Sequence, residues 1–249
     1  MYTLCVGAVF KNEQHALKEW LDHYLLHGVE HFFLINDAST DFSAIIVKPY
    51  VDKGLVTLYN TASPYYLGRQ KDLYNKYIMP HLKTTQWLLM VDLDEFMWSP
   101  KSLDLKDVLR GTSNVGQIQV EHTLFGSNGH IAVPKGIVKS YTRRAPESPT
   151  RTPGLRKYFV NSAYKFTDLT IHHAQFESKI DEKEHFILLD ENHFVLNHYC
   201  CQALDFWRLV KCTRGDCDNY RTRTMKDFIE IDQNDVEDLR LYQQNKSIL

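Results

Sequence analysis

Apolar residues in the first hundred positions alternate between short continuous runs and stretches with helical spacing. The continuous runs predict buried strands over residues 4–10, 31–35, 55–59 and 87–91. After the first run, apolar residues recur every three or four positions, which predicts a helix that ends near Gly28. Further helices are predicted over 45–51 and 69–82. This β–α–β–α–β–α–β order predicts a parallel sheet with right-handed crossovers.

The second half of the chain has a less regular pattern. Strands are predicted over 115–120, 186–189 and 194–197, and helices over 103–109, 204–211 and 236–243. A loop rich in proline and arginine is predicted over 145–154, and Arg214 is expected to end a helix. Because no repeat, low-complexity tract or linker interrupts the chain, a single domain over 1–249 is predicted.

Charge and hydropathy narrow the class of protein. The 249 residues carry a formal net charge of -2 at pH 7, without the basic excess of a nucleic-acid-binding protein. The N-terminus lacks the basic region, apolar run and small-residue cleavage site of a signal peptide, and no apolar stretch approaches the span of a bilayer. We therefore expect a cytoplasmic protein with no stable membrane insertion and no nucleic-acid partner.

Polar residues follow the predicted strands of the first half. They are Lys11, Asn12 and Glu13 after the first strand, Asp37 after the second, and Asp92 and Asp94 after the fourth. Because the carboxyl ends of parallel strands share one edge of a sheet, we expect these side chains to line one cleft. The spacing of Asp92 and Asp94 would place both on one side of an extended chain, as hard oxygen donors suited to Mg²⁺ or Mn²⁺. Solvated acids at a strand end are the alternative.

An ordered set of motifs then extends over most of the chain. The motifs are Lys11-Asn12-Glu13, Glu19-Trp20-Leu21-x-x-Tyr24, Gly28-Val29-x-x-Phe32, Asp37-x-Ser39-x-Asp41, the run 87–96, Phe125-Gly126-Ser127-x-Gly129-His130, Asn197-His198-Tyr199 and Arg214-Gly215. Together they resemble glycosyltransferase family 92 and its bacterial and viral relatives in the family-2-like GT-A superfamily. The resemblance implies an α/β GT-A (Rossmann-like) fold with a mainly parallel central sheet flanked by helices.

The resemblance also implies an activity. It predicts an inverting, metal-dependent glycosyltransferase that moves a hexose, galactose or glucose, from a UDP-sugar to a glycan or protein acceptor. Residues 1–100 would bind the nucleotide sugar, and residues 101–249 would bind the acceptor. The expected metal is Mn²⁺, with Mg²⁺ as an alternative. A sugar-phosphate nucleotidyltransferase and a non-catalytic nucleotide-sugar-binding relative are the competing interpretations.

Candidate metal ligands follow from the matched motifs. Asp92 and Asp94 would flank the diphosphate and the metal, with Asp94 as the direct ligand, and Glu95 would support the site or serve the fold. His198, just past a late strand, would add an imidazole ligand, which favours Mn²⁺ over Mg²⁺. The alternative for His198 is a hydrogen-bonded core histidine.

Donor-binding residues are predicted around these acids. Asp37 resembles the acid that pairs with the uracil or ribose of the donor, although an aspartate here also suits a helix N-cap. The other predicted nucleotide-sugar contacts are Lys11, Asn12, Glu13, Arg69, Gln70, Asp92, Arg156 and Lys157. Arg69 and Gln70 begin a predicted helix, and helix N-termini favour phosphate, but a solvated Arg69 fits equally well.

The general base is left open between several residues. Inversion requires a group that deprotonates the acceptor hydroxyl. Glu121, His122 and Asp168 lie beyond the metal strand in the sequence, and the sequence does not separate them. His172 and His173 are further candidates for the metal or acceptor, with structural roles as the alternative.

Overall fold

The computed structural model describes residues 1–62, 64, 66–112, 114–146, 156–177, 186–188, 192–213, 215–216 and 219–249. Within them, the strands are β1 (Tyr2–Phe10), β2 (His31–Asp37), β3 (Val56–Thr61), β4 (Thr85–Met90), β5 (Glu95–Trp98), β6 (Gln117–Leu124), β7 (Arg143–Arg144), β8 (Arg156–Asn161), β9 (Phe166–Leu169), β10 (Ala174–Phe176), β11 (Phe186–Leu188), β12 (Val195–His198), β13 (Gly215–Asp216), β14 (Asn219–Thr222) and β15 (Val236–Glu237). The α-helices are α1 (Leu17–Leu26), α2 (Ser43–Asp52), α3 (Arg69–Leu73), α4 (Leu105–Leu109), α5 (Leu204–Phe206), α6 (Met225–Ile231) and α7 (Arg240–Gln244). A π-helical segment (Tyr74–Ile78) and a 3₁₀ helix (Met79–Thr84) continue α3. A second π-helical segment (Trp207–Lys211) continues α5.

A nine-stranded sheet organises the fold. Its strands follow the order β3-β2-β1-β4-β8-β6-β12-β5, and β11 pairs with β6 at one side of this path. Parallel pairing joins β3, β2, β1 and β4, and it also joins β6 to β12 and β11. Only β8 and β5 pair antiparallel to their neighbours within this described sheet. The predicted α/β architecture with a mainly parallel sheet is therefore confirmed.

Helices cover both faces of the first four strands, which explains why these strands are apolar throughout. Alternate residues of β1 point to opposite faces, so Leu4 and Val6 pack with α1 while Cys5 packs with the helical segment that begins at Arg69. All three of these side chains are fully buried. The continuous apolar runs that predicted buried strands thus reflect a sheet enclosed by helices on two sides.

Gly7, in the middle of β1, leaves room for the neighbouring side chains. A Cβ at this position would lie 2.7 Å from Met90 Sδ and 2.9 Å from Ile78 Cγ2, closer than side chains pack. We expect Gly7→Ala to lower the free energy of unfolding by ~1–3 kcal/mol, the usual cost of overpacking a core. Urea denaturation measures this change. Gly111→Ala is the matched control because open space surrounds Gly111, and an equal loss in both variants would contradict the packing argument.

Several elements differ from the sequence predictions. The predicted helix over 236–243 begins only at Arg240, because residues 236–237 form β15 and pair antiparallel with β7. Asp238 then accepts hydrogen bonds from the backbone and side chain of Arg240 and ends the strand. Of the strand predicted over 186–189, the structure describes residues 186–188. Arg214 and most of the loop predicted over 145–154 lie outside the described residues. In the described part of the chain, no helix is long and apolar enough to cross a bilayer.

Candidate active site

The carboxyl-terminal edge of the parallel strands gathers the polar residues of the chain. The ends of β1, β2, β4, β6 and β12 lie along this edge because these strands run in the same direction. The reversed strands β5 and β8 begin at the same edge, so they bring Glu95 and the Arg156–Lys157 pair to it. The site therefore draws residues from both halves of the chain.

Helix α1 fixes the turn that carries the acidic residues. Trp20 Nε1 donates hydrogen bonds to the carbonyl oxygens of Asp92 and Glu95, at 3.0 and 3.1 Å. Tyr24 Oη donates to the Glu95 carbonyl and accepts from the backbone N–H of Met97. Both aromatic side chains are fully buried. The apolar face that identified α1 in the sequence thus also positions the backbone of the acidic turn.

Asp92 and Asp94 have different partners. β4 ends at Met90, and the two acids lie in the turn that follows it. The prediction that an extended strand would place both carboxylates on one side therefore does not apply. Asp92 Oδ2 lies 2.6 Å from Lys157 Nζ, and Asp92 Oδ1 accepts a hydrogen bond from Gln70 Nε2 at 3.0 Å. Lys157, a predicted phosphate contact, is thus buried in ion pairs with Asp92 and Glu95.

Asp94 contacts the late elements of the chain. Its carboxylate lies 3.6 Å from His198 Nε2 and 3.3 Å from Lys211 Nζ. Its carbonyl accepts the backbone N–H of Tyr199 at 2.8 Å, which ties the acidic turn to the residue after His198. Burial alone would raise the pKa of Asp94, but Lys211 and His198 outweigh burial and hold this pKa well below its usual value. Asp94 is therefore ionised at neutral pH.

A second group of ligand atoms joins three strands at the edge. Glu95 begins β5, His122 lies in β6, and His198 ends β12. One oxygen or nitrogen atom from each lies within 4.8 Å of the other two. His122 Nε2 is 2.9 Å from Glu95 Oε1, and the two imidazole centroids are 4.4 Å apart. The carboxylate and the two rings converge closely enough to coordinate one ion.

The ring nitrogens of this group lack ordinary hydrogen bonds. Both nitrogens of His122 and Nδ1 of His198 are buried without a hydrogen-bond partner in the described part of the protein, since the contact to Glu95 lacks hydrogen-bond geometry. Burial and the neighbouring His198 lower the pKa of His122, which leaves that ring neutral. Burial would raise the pKa of Glu95, but the cationic side chains beside it, led by the Lys157 ammonium, together outweigh burial and lower this pKa to about 2. A neutral imidazole beside a carboxylate suits a cation of the Mn²⁺ type.

The charges of the site also favour a cation. The carboxylate and ammonium side chains of this described cluster are Asp92, Asp94, Glu95, Lys157 and Lys211. Three carboxylates against two ammonium groups leave one excess negative charge when the histidines are neutral. Burial lowers the pKa of His198, but Cys200 and Asp94 outweigh burial and raise it to about 9. A proton on His198 balances this excess charge, whereas a bound divalent cation would replace that proton and exceed the negative charge by one unit.

The predicted uridine contacts lie at the ends of β1 and β2. The Arg69 guanidinium forms an ion pair with Asp37, and Arg69 is almost fully buried. Asn12 has a left-handed backbone with φ of 56°, and its Oδ1 accepts the backbone N–H of Thr40 at 2.7 Å. Lys11 is exposed, and Glu13 is partly buried. The structure thus brings Asp37 and Arg69 together, while the Asn12 side chain joins the two loops that flank them.

The candidates for the general base lie apart from one another. Glu121 lies within β6, and its Oε1 is 3.2 Å from Arg156 Nη2. Asp168, in the two-stranded sheet of β9 and β10, forms an ion pair with Lys71 at 3.2 Å. His122 is buried beside His198. Glu121 and Asp168 are the partly exposed carboxylates among these candidates.

Three residues of the edge escaped prediction from the sequence. Lys211 is the last residue of the π-helical segment after α5, and its ammonium contacts Asp94. Gln202 follows His198 in the chain and contacts His15, which precedes α1. Nothing in the sequence pattern marks these positions, because the contacts connect residues more than a hundred positions apart.

Similarity to known proteins agrees with this architecture. A family model described as glycosyltransferase family 92 matches residues 1–238. A glycosyltransferase family 92 protein of Oryza sativa subsp. japonica is 24% identical over 219 residues, which cover 84% of this chain and 35% of the relative. A galactan beta-1,4-galactosyltransferase of Arabidopsis thaliana is 22% identical over 128 residues, which cover 48% of this chain and 25% of the relative. This chain thus spans about a third of the length of the family 92 relatives it matches.

Solved structures also align with the chain. The S. aureus TarS 1–349 crystal structure superposes with a TM-score of 0.46 and 15% sequence identity, and the alignment covers 99% of this chain and 72% of that one. The resemblance to family 92 is confirmed by the family model, and the mainly parallel α/β sheet that the resemblance implied is confirmed by the strand pairing.

Proposed function

The chain belongs to glycosyltransferase family 92, and from this premise we propose that it transfers a hexose from a UDP-sugar to a glycan or protein acceptor in a metal-dependent, inverting reaction. The observation that carries the proposal is the convergence of acids and histidines at one sheet edge. Glu95 at the start of β5, His122 within β6 and His198 at the end of β12 form one group of ligand atoms, and Asp94 contacts His198 at 3.6 Å. Most buried polar groups are hydrogen-bonded, whereas His122 and His198 here have unpartnered ring nitrogens and each lie beside a carboxylate, which suits a bound cation.

We assign donor binding to residues 1–100 and acceptor binding to residues 101–249. Asp37 would accept hydrogen bonds from the uracil or ribose, and Arg69 holds its carboxylate in place through the ion pair. Lys11, Asn12 and Glu13 lie on the neighbouring loop, and the two loops are joined by the contact between Asn12 and Thr40. Because the loops are tied together, the uridine pocket is largely organised before the donor binds.

Residues at the metal edge would act on the diphosphate. Asp94 and His198, with Glu95 and His122 beside them, would hold a divalent cation, Mn²⁺ rather than Mg²⁺ because two ligands are imidazoles. The ion would supply Lewis-acid neutralisation of the charge on the leaving nucleoside diphosphate. Gln70 Nε2, which donates to Asp92, lies in the first turn of α3 beside this acidic turn. Lys157 balances the charge of Asp92 and Glu95 from within the protein.

The acceptor hydroxyl requires a base at the side of the cleft formed by the second half of the chain. We propose Glu121 or Asp168, whose carboxylates are partly exposed and form ion pairs with Arg156 and Lys71, respectively. His122 is better placed as a metal ligand, because its ring is buried against Glu95 and His198.

Thermal unfolding in the presence of nucleotides tests the proposal. We expect UDP-glucose or UDP-galactose with Mn²⁺ to raise the unfolding temperature more than GDP-mannose or the metal alone. A donor at a hundred times its Kd would stabilise the native state by about 2.7 kcal/mol. The absence of a shift with every nucleotide sugar would contradict the proposal, and pyrophosphate release from UTP and a hexose phosphate would favour a nucleotidyltransferase.

A further inference from the structure

A contact between His15 and Gln202 joins two loops of the sheet edge. His15 lies between β1 and α1, and Gln202 lies between β12 and α5. His15 Nε2 is 2.9 Å from Gln202 Oε1. An amide oxygen only accepts hydrogen bonds, so the hydrogen of this contact is on Nε2. In the neutral ring, Nδ1 is then the nitrogen with the free lone pair.

Gln202 has a backbone conformation and a buried amide that lower the free energy of unfolding. Its φ is 46°, in the left-handed region that residues other than glycine seldom adopt. Its side chain is buried, and its Nε2 lacks a hydrogen-bond partner among the described residues. Strained backbone and an unpaired buried donor together indicate a residue retained for function rather than for stability.

The ring of His15 is partly exposed and lies near Asp94 and Lys211 of the proposed metal site. Its side chain is 20% exposed, and its ring centroid lies 5.1 Å from that of Phe206. In the described part of the chain, Gln202 is the group that hydrogen-bonds to this ring, through Nε2. The charged groups that act on it are Asp94, Asp41 and Lys211, and Glu13 lies 3.9 Å away. Burial lowers the pKa of His15, so the ring is neutral at pH 7 and Nδ1 is an acceptor.

We propose that His15 binds a hydroxyl group of the nucleotide sugar through Nδ1, and that Gln202 is the positioning residue that fixes the tautomer of the ring. This inference rests on the proposed function. A hydroxyl group donates the hydrogen that a neutral imidazole nitrogen accepts, whereas an ionised phosphate has no hydrogen to offer. The hexose and the ribose of the donor share this chemistry, and binding of UDP alone distinguishes between them.

Two substitutions of His15 separate the roles of the two ring nitrogens. The amide of asparagine lies near the position of Nδ1, so His15→Asn keeps a polar group toward the ligand and loses the contact to Gln202. The longer glutamine places its amide near Nε2, so His15→Gln keeps the contact to Gln202 and loses the group toward the ligand. Gln202→Met removes the positioning contact at similar side-chain volume.

Titration calorimetry with UDP, UDP-glucose and UDP-galactose in the presence of Mn²⁺ tests the inference. We expect His15→Gln and Gln202→Met to raise the Kd of the UDP-hexose about three- to tenfold, the loss of one hydrogen bond, and His15→Asn to raise it less than about twofold. In His15→Gln and Gln202→Met, an unchanged Kd for UDP would identify a hexose hydroxyl as the partner of His15. A rise of the Kd for UDP equal to that for the UDP-hexose would identify a ribose hydroxyl.

Other outcomes would overturn the inference. An unchanged Kd in His15→Gln for every ligand would exclude a contact through Nδ1. A rise of the Kd in His15→Asn that exceeds the rise in His15→Gln would show that the ring serves only to join the loops. Failure of the wild-type protein to bind UDP or any UDP-hexose would instead contradict the proposed function, so the two failures are distinguishable. Unfolding temperatures close to that of the wild type verify that each variant is folded.

Discussion

Asp94→Asn is expected to lower kcat/KM for sugar transfer about a thousandfold, because stabilisation of the leaving group by a bound cation is worth several kcal/mol. Asp94 is the carboxylate that faces both His198 and Lys211. The substitution keeps the size of the side chain and removes its charge. The hydrogen bond from Tyr199 N–H to the Asp94 carbonyl belongs to the backbone and persists, so the turn keeps its shape.

Binding and turnover together check this expectation. Calorimetry with Mn²⁺ should show weaker metal binding in Asp94→Asn, and a UDP-release assay should show the loss of turnover. Asp107→Asn is the control, because Asp107 is an exposed acid of α4 whose partners are Ser102 and Arg110. Full metal-dependent turnover in Asp94→Asn would rule out the proposed role of this carboxylate.

Lys157→Met is expected to destabilise the protein by ~3–5 kcal/mol, the cost of leaving a buried charge without its partner. Lys157 Nζ lies 2.6 Å from Asp92 and 3.5 Å from Glu95, and the side chains of Lys157 and Glu95 are each 1% exposed. Methionine fills a similar volume, so the loss reports the missing charge rather than a cavity. Urea denaturation measures the change.

Two further variants make this prediction specific. Lys165→Met removes an exposed lysine whose ion pair with Glu177 spans 3.9 Å, and it should change stability by less than ~0.5 kcal/mol. Glu95→Gln added to Lys157→Met should recover part of the loss, because the unpaired carboxylate is gone. A loss in Lys165→Met as large as that in Lys157→Met would contradict the argument.

The pH dependence of stability offers an independent measurement of the same ion pair. The pKa of Glu95 is about 2 in the folded protein against an ordinary 4.5, so its stabilising effect is present above pH 4.5. That contribution is lost as the pH falls from 4.5 toward 2, because protonation then favours the unfolded chain. In Lys157→Met, burial raises the pKa of Glu95, and this acid-induced loss should become smaller.

The amino-acid sequence by itself determined the parallel core of the protein. Continuous apolar runs such as β1 and β4 occur where a strand is covered on both faces. The helical spacing of apolar residues, Trp20 and Tyr24 among them, predicted α1. Because parallel strands end at one edge, the position of Asp37 and Asp94 at a common edge followed from strand order alone. The ordered motifs then indicated the family, which the match over residues 1–238 shows.

The tertiary structure decided which side chains meet at that edge. The reversed strands β5 and β8 begin where the parallel strands end, so they place Glu95 beside His122 and Lys157 beside Asp92. Strand direction depends on pairing between distant segments, and local periodicity contains no information about it. The contacts of Lys211 with Asp94 and of His15 with Gln202 likewise join residues more than a hundred positions apart. Hydrophobic pattern therefore located the edge, while long-range pairing determined its chemistry.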